Sequence, residues 1–183
     1  ILSSMDRENK DFNDVLFKAQ KLGYAESNPA ADLNGDDVSS KLKILSSLCF
    51  NSFLNNNIYV EGIKNIDKTD IDNANKLGYK IKLLGFAEYL NNKFYQRVHP
   101  SLIKRDSYVA SIDGVSNAVI IDGKPVGKSI IQGEGAGAAA TTSALISDIS
   151  SILRGNIKFP FSLSSKERKK IKFANIEDRF FSA

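Results

Sequence analysis

Residues 23–41 read Gly23-Tyr24-Ala25-Glu26-Ser27-Asn28-Pro29-Ala30-Ala31-Asp32-Leu33-Asn34-Gly35-Asp36-Asp37-Val38-Ser39-Ser40-Lys41. The Asn34-Gly35 pair is typical of a turn, so we expect a loop over 23–35 and a helix over 36–55. The apolar residues of this helix share one arc of a wheel drawn at about 100° per residue. They are Val38, Leu42, Ile44, Leu45, Leu48 and Cys49. This arc predicts the face that packs against the rest of the fold.

Two charged residues, Asp37 and Lys41, fall inside that apolar arc. A charge on the inner face of a helix costs free energy unless it is paired or hydrogen-bonded, so the pattern predicts a buried pair. One interpretation is a structural ion pair at i,i+4. The other is a ligand site, which is favoured by two further carboxylates, Glu26 and Asp32, on the preceding loop. Three carboxylates and one lysine suit a small ligand that carries an ammonium group and needs proton transfer.

The rest of the chain alternates from helices to strands and back to one long helix. The patterns predict helices over 3–10, 12–22, 67–77 and 138–153, and strands over 59–63, 79–89, 93–103, 115–122 and 125–132. We therefore expect an α+β fold with a mixed, mostly antiparallel sheet covered on one face by helices. Residues 1–155 are expected to form the folded domain, and residues 156–183 a linker.

The composition is that of a water-soluble globular protein of 183 residues, with 42% hydrophobic and 25% charged residues. The net charge of +4 comes from residues 154–183, which hold eight basic and three acidic side chains. A solvated linker explains this basic segment better than a nucleic-acid surface, because no aromatic platform accompanies it. The single cysteine, Cys49, lies on the apolar arc and is expected to pack there. We expect a cytoplasmic protein without membrane spans.

Two other features invite a chemical interpretation. Gly133-Glu134-Gly135-Ala136-Gly137-Ala138 fits a dinucleotide fingerprint, but the predicted helix after it leads to Gly155 and not to a strand, so we expect no complete nucleotide-binding fold. His99 is the only histidine and lies near a strand end, where a structural hydrogen bond is the simpler role. No residue spacing supports a metal site.

The long motif from residue 19 to residue 41 resembles the signature of the homoserine dehydrogenases. The matching positions are Ala19, Gly23, Asn28-Pro29, Asp32-Leu33, Gly35, Asp37 and Lys41. The resemblance continues in Val98-His99-Pro100, in Asp113-Gly114-Val115-Ser116-Asn117-Ala118-Val119 and in the glycine-rich segment 133–137. It covers most of the chain and implies the substrate-binding and dimerisation part of such an enzyme, which acts in threonine, methionine and isoleucine biosynthesis.

The resemblance also implies a role for each site residue. Lys41 becomes the catalytic acid and base, Glu26 and Asp37 hold the ammonium group of L-homoserine, and Asp32 adds charge or orients Lys41. Gly23 offers its backbone to the substrate. Gly137 faces the NADP or NAD cofactor, which another domain of such enzymes mainly binds.

The chain opens on Ile1-Leu2 without a methionine, so we expect a segment of a longer protein. Taken alone it is expected to be inactive, and its partners are a small-molecule substrate and a second copy in a homodimer, with neither nucleic acid nor membrane. The ending over 173–181 resembles the entry to a regulatory ACT domain. The alternative function is a non-catalytic oligomerisation or regulatory module.

Overall fold

A computed structural model describes residues 1–50 and 58–156 and confirms the α+β class. Its helices are α1 (Leu2–Glu8), α2 (Phe12–Lys21), α3 (Ala30–Asn34), α4 (Asp36–Cys49), α5 (Lys68–Lys76), α6 (Tyr108–Ser111) and α7 (Ala138–Leu153). Its strands are β1 (Tyr59–Val60), β2 (Tyr79–Leu90), β3 (Lys93–Lys104), β4 (Ser116–Gly123) and β5 (Gly127–Glu134). The linker expected over 156–183 and the end of the helix expected to reach residue 55 lie almost entirely outside the described residues.

The strands form two sheets in the described part of the chain, where the sequence suggested one. The first has the order β1-β3-β2, with β1 parallel to β3 and Tyr59 opposite Arg97. The second is the antiparallel pair β4–β5, which is in register from Ser116 opposite Glu134 to Gly123 opposite Gly127. Asn91 and Asn92 adopt positive φ angles of 51° and 60° between β2 and β3. Asparagine tolerates this left-handed conformation better than most residues, which explains the tight turn there.

The contacts within the chain define two compact units. Among the described residues, unit 1 comprises 1–27, 66–82 and 102–156, and unit 2 comprises 28–50, 58–65 and 83–101. The predicted domain boundary at residue 155 stays a prediction.

In unit 2, helix α4 lies against the three-stranded sheet. A Cβ atom placed on Gly85 of β2 would come within 3.2 Å of Val38 and 3.4 Å of Leu42, so the glycine lets the helix approach the strand closely. At the other end, the ring of Phe50 packs edge-on against Phe94 of β3 at 4.9 Å between centroids. An edge-to-face pair of this kind is a favourable aromatic contact.

The start of α4 is fixed by two glycines. Gly35 has φ 86°, and a Cβ atom there would lie 3.1 Å from Val60 and 3.4 Å from Val98. At Gly62 an added Cβ atom would clash with the backbone, because it would lie 2.0 Å from the carbonyl oxygen of Leu33. Next to that contact, the amide of Ile63 donates a 2.8 Å hydrogen bond to the same oxygen.

The predicted burial on α4 is wrong for several residues. Ile44, Leu45, Leu48 and Cys49 are exposed, and so are the side chains of Lys41 (55%) and, in part, Asp37 (40%). The buried positions are instead Ser39, Ser46 and Ser47. Serine is tolerated there because it is small and can bond within its own helix, as the Ser46 hydroxyl does to the carbonyl of Leu42 at 2.5 Å. The buried face of α4 is thus rotated away from the apolar arc that was predicted to pack against the rest of the fold.

Several predicted boundaries also shift. The strand expected over 59–63 is shorter, because the Ile63 amide bonds to the Leu33 carbonyl instead of to β3. Asp67 caps α5 and forms a reciprocal capping box with Asp70, so the helix itself begins one residue after the predicted bound. Helices α3 and α6 were not predicted, since each has no more than five residues and little periodicity to show.

Unit 1 contains a partly buried cluster of charges, formed by Asp6, Lys80, Lys82, Arg105 and Asp113. Lys82 Nζ lies 2.7 Å from Asp113 Oδ1, and Lys80 Nζ lies 2.9 Å from Asp113 Oδ2. Arg105 binds Asp6 at 2.6 Å. Burial by itself raises the pKa of Asp113, but hydrogen bonds and charges from Lys82 and Lys80 outweigh it and lower that pKa from 3.8 to about 2. The cluster therefore favours the charged form of Asp113.

This lowered pKa predicts a specific acid sensitivity. The stabilisation from Asp113 is fully present above pH 3.8, the ordinary value, and is lost as the pH falls towards 2. Asp113→Asn should lower the free energy of unfolding at pH 7 by about 1–3 kcal/mol, and this difference should shrink below pH 3. Urea unfolding at several pH values measures both quantities. The exposed Asp122 offers the control Asp122→Asn, and a pH-independent loss in Asp113→Asn would contradict the prediction.

Candidate functional site

The Asp37–Lys41 pair is the part of the predicted site that the structure brings together. Lys41 Nζ lies 2.7 Å from Asp37 Oδ2, one turn apart on α4. Both side chains reach solvent, and an exposed pair of this kind contributes about 0–1 kcal/mol to stability. The pair therefore leaves donor and acceptor capacity open to a ligand while adding little to the fold.

The backbone around Asp37 suits a carboxylate. Asp36 and Asp37 occupy the first turn of α4, whose amides begin directly after the left-handed Gly35. Negative side chains are stabilised at a helix N-terminus by the unpaired amides and the helix dipole. The position of the carboxylate thus follows from where the helix begins, which the close contacts of Gly35 determine.

Asp32 belongs to the same unit and lies on the short helix α3, which packs against α4. Its helix follows Asn28 and Pro29, and Asn28 Oδ1 accepts a 3.3 Å hydrogen bond from the amide of Ala30. Asp32 itself is exposed, in the last turn before Gly35. The predicted loop therefore contains a helical turn that presents Asp32 to solvent.

Gly23 and Glu26 belong to unit 1 and lie in the turn after α2. Gly23 has φ 73°, a conformation that favours glycine, and its amide bonds to the Gln20 carbonyl at 3.0 Å. The side chain of Gln20 donates to the Glu26 carbonyl at 3.0 Å, which orders the turn. Both predicted residues are exposed.

The glycine-rich segment 133–137 lies between β5 and α7 in unit 1. The Gly135 amide donates to the Val115 carbonyl at 2.9 Å, and the side chain of Asn117 occupies the space that a Cβ atom on Gly135 would need. Gly137, with φ 107° and ψ 155°, precedes the first turn of α7. Because β5 pairs only with the antiparallel β4 among the described residues, the segment is not part of a βαβ unit there.

His99 is hydrogen-bonded at both ring nitrogens, as the sequence predicted. Arg97 Nε can only donate, so its 3.0 Å contact makes His99 Nε2 the acceptor, and Nδ1 then donates to the Pro100 carbonyl at 2.9 Å. The ring also stacks on Phe86 at 5.5 Å. These contacts account for His99 structurally.

Two other features are absent from the described residues, a metal site and a membrane-spanning helix. Residues 1–50 and 58–156 contain no group of three or more His, Cys, Asp or Glu side chains arranged to hold a metal ion. Across the same part of the chain, no helix has both the length and the hydropathy to cross a membrane.

The Lys80–Lys82–Asp113 cluster was missed as a unit by the sequence analysis. Lys80 and Lys82 are separated by two positions on β2, so their side chains point to the same side of the strand. This spacing is the sequence signal that could have indicated that the two lysines act together. Their partner Asp113 is about 30 residues away, and no local pattern links the two segments.

Comparison with known proteins gives consistent matches. The family model for homoserine dehydrogenase matches residues 1–150. A homoserine dehydrogenase of Neisseria gonorrhoeae is 44% identical over 155 residues, which are 84% of this chain and 36% of that protein. The chain thus spans little more than a third of that relative.

Solved structures agree with the sequence matches. A homoserine dehydrogenase from Thiobacillus denitrificans has a TM-score of 0.85 and 36% identity, covering 94% of this chain and 42% of that one. A hyperthermophilic archaeal homoserine dehydrogenase mutant in complex with NADPH has a TM-score of 0.63 and 25% identity, covering 84% of this chain and 43% of that one. With the family model matching most of its length, this chain belongs to the homoserine dehydrogenase family.

Proposed function

We propose that this chain is the substrate-binding and catalytic segment of an NAD(P)-dependent oxidoreductase that interconverts L-homoserine and L-aspartate 4-semialdehyde. The observation that carries the proposal is the solvent-open Asp37–Lys41 pair at 2.7 Å, within the segment that the family model matches. The names of the relatives support the substrate, and the archaeal relative in complex with NADPH supports the nucleotide.

Lys41 is the proposed acid and base. In the oxidative direction its amine takes the proton of the homoserine hydroxyl, and in the reductive direction its ammonium returns a proton to the carbonyl oxygen. Asp37 Oδ2 contacts Lys41 Nζ at 2.7 Å. The same contact restricts the position of a long, flexible side chain.

The carboxylates are proposed to bind the other end of the substrate. Glu26 and Asp37 hold the substrate ammonium group, Asp32 adds negative charge or orients Lys41, and Gly23 offers a backbone carbonyl. An alkylammonium group has three donors, which suits several carboxylate or carbonyl acceptors.

Gly137 is the proposed contact with the nucleotide. A Cβ atom on Gly137 would meet no other atom within 4 Å, so the backbone there is open to a ligand, and the free amides of the first turn of α7 suit an anionic or carbonyl group. When bound, the nicotinamide ring accepts or gives the hydride. The residues of this chain are proposed to bind and orient the substrate and to move its proton.

The acid–base role can be tested in a chimera in which residues 1–150 replace the matched segment of the Neisseria gonorrhoeae relative. Lys41→Ala should lower kcat by about 10²–10⁴, the usual contribution of a positioned acid or base. The nucleotide KM should stay close to that of the parent chimera. Steady-state kinetics in both directions give these values.

Lys43→Ala is the matched control, because Lys43 lies on the same helix but is not part of the pair. It should keep turnover within about twofold of the parent, as expected for a half-buried side chain outside the proposed site. Near-parental kcat in Lys41→Ala would exclude Lys41 as the acid–base residue.

The 183-residue chain alone should bind NADPH weakly. Its glycine-rich turn is not backed by a βαβ unit in the described residues, so few of the contacts of a dinucleotide site are present. Calorimetry with NADPH should show no binding at micromolar concentrations. A steady-state assay of the same chain should show no dehydrogenase activity. A micromolar Kd would instead indicate a complete nucleotide site in this chain.

We also propose a homodimer. Apolar side chains are exposed on both strands of the β4–β5 pair, including Ile120, Ile130 and Ile131, and a two-stranded pair alone is marginally stable in water. Light scattering should give about twice the 20.1 kDa mass of one chain at micromolar concentration. A single-chain mass at every concentration would contradict the dimer.

A further inference from the structure

Two lysines of β2 fasten the segment that ends at Asp113. Lys80 Nζ donates to the Ala110 carbonyl at 3.1 Å as well as to Asp113, and Lys82 Nζ donates to the Ile112 carbonyl as well as to Asp113. Their side chains are only 15% and 12% exposed. Charge-assisted hydrogen bonds in such partly buried surroundings are stronger than neutral ones at the surface, so this segment is firmly placed.

A short series of contacts joins Asp113 to the glycine-rich turn. The Val115 carbonyl, two residues after Asp113, accepts the 2.9 Å hydrogen bond of the Gly135 amide. Asn117, two residues further, lies against Gly135, where a Cβ atom would stand 1.5 Å from its Nδ2 atom. The placement of Asp113 therefore determines where the turn at 135–137 begins.

The register of the β4–β5 pair agrees with this connection. Ser116 stands opposite Glu134, so the end of the pair that adjoins Asp113 is also the end that leads into Gly135 and Gly137. Gly137 then begins α7. A shift of the segment 113–117 would move the glycine turn with it.

We infer that Asp113, held by Lys80 and Lys82, is a positioning residue for the glycine turn at 135–137 and thereby controls the affinity for the nucleotide. The nucleotide part of this inference rests on the proposed function of Gly137. In this inference Asp113 acts through Val115 and Gly135 and needs no contact of its own with substrate or nucleotide.

The same charge cluster supplies a matched control. Asp6 is also a partly buried carboxylate, bound by Arg105 at 2.6 Å, but it lies on α1 and is linked to Asp113 through the longer 3.8 Å contact with Lys80. Asp6→Asn makes the same change of charge in the same cluster. It should lower stability without specifically affecting the turn.

Hydrogen exchange resolved to the Gly135 amide tests the positioning role in the chain itself. Asp113→Asn should speed exchange at Gly135 by about tenfold relative to the slowest amides of α4, because the bond to Val115 opens locally. Asp6→Asn should leave that ratio unchanged. An unchanged ratio in Asp113→Asn, or the same increase in Asp6→Asn, would overturn the positioning role.

The nucleotide part is tested in the chimera described above. Asp113→Asn should raise the NADPH KM by about tenfold while kcat at saturating nucleotide changes less than threefold, since the acid–base residues are untouched. Faster Gly135 exchange with an unchanged NADPH KM would overturn the nucleotide part together with the proposed role of Gly137. If Asp113→Asn does not fold, Lys82→Met removes one of the two ion pairs and gives the same two measurements.

Discussion

The structure of unit 2 depends on one close approach of two backbone segments. At Gly62 a Cβ atom would lie 2.0 Å from the Leu33 carbonyl oxygen, so only glycine fits without moving the chain. The hydrogen bond from Ile63 to that oxygen, and the fit of Gly35 against Val60 and Val98, place the first turn of α4. The positions of Asp37 and Lys41 follow, because a helix that starts at a fixed residue also fixes the direction of every side chain after it.

The exposure of the Asp37–Lys41 pair changes the physical interpretation of the motif. Burying an ion pair costs desolvation free energy, which the attraction between the two charges offsets only when the geometry is very good. A pair at the surface loses little hydration and contributes little to stability. The fold can therefore carry this pair without relying on it for stability. Under the proposed function, the substrate itself removes water from Lys41, so the stronger electrostatic interactions arise only when they can contribute to proton transfer.

The sequence predicted most of the elements because local signals determine them. Asn91-Asn92 marks the turn after β2, and residues 138–153 form a helix at the predicted bounds. The sequence did not predict which side chains of α4 are buried, because a helical wheel shows an apolar arc but not which face of the helix meets the sheet. The buried positions are the small residues Ser39, Ser46 and Ser47. At the candidate site, the i,i+4 spacing predicted the Asp37–Lys41 contact, while the roles of Glu26, Asp32, Gly23 and Gly137 came from family resemblance and remain predictions. Contacts between distant segments, as in the Lys80–Lys82–Asp113 cluster, leave no local pattern.

The two groups of proposed site residues are positioned by different physical means. The first turn of α4, which carries Asp37, relies on steric exclusion around Gly35 and Gly62, which does not change with pH. The turn at 135–137 relies, through Val115, on a carboxylate bound to two lysines, and that contribution weakens once the carboxylate is protonated, because the charge-assisted bonds are then lost. Acid near pH 2, where Asp113 becomes protonated, should therefore loosen the turn of unit 1 before it affects the start of α4 in unit 2. Within one small chain, the start of the helix that carries the proposed proton-transfer residues is thus fixed by steric contacts, whereas the proposed nucleotide contact depends on an ionised carboxylate.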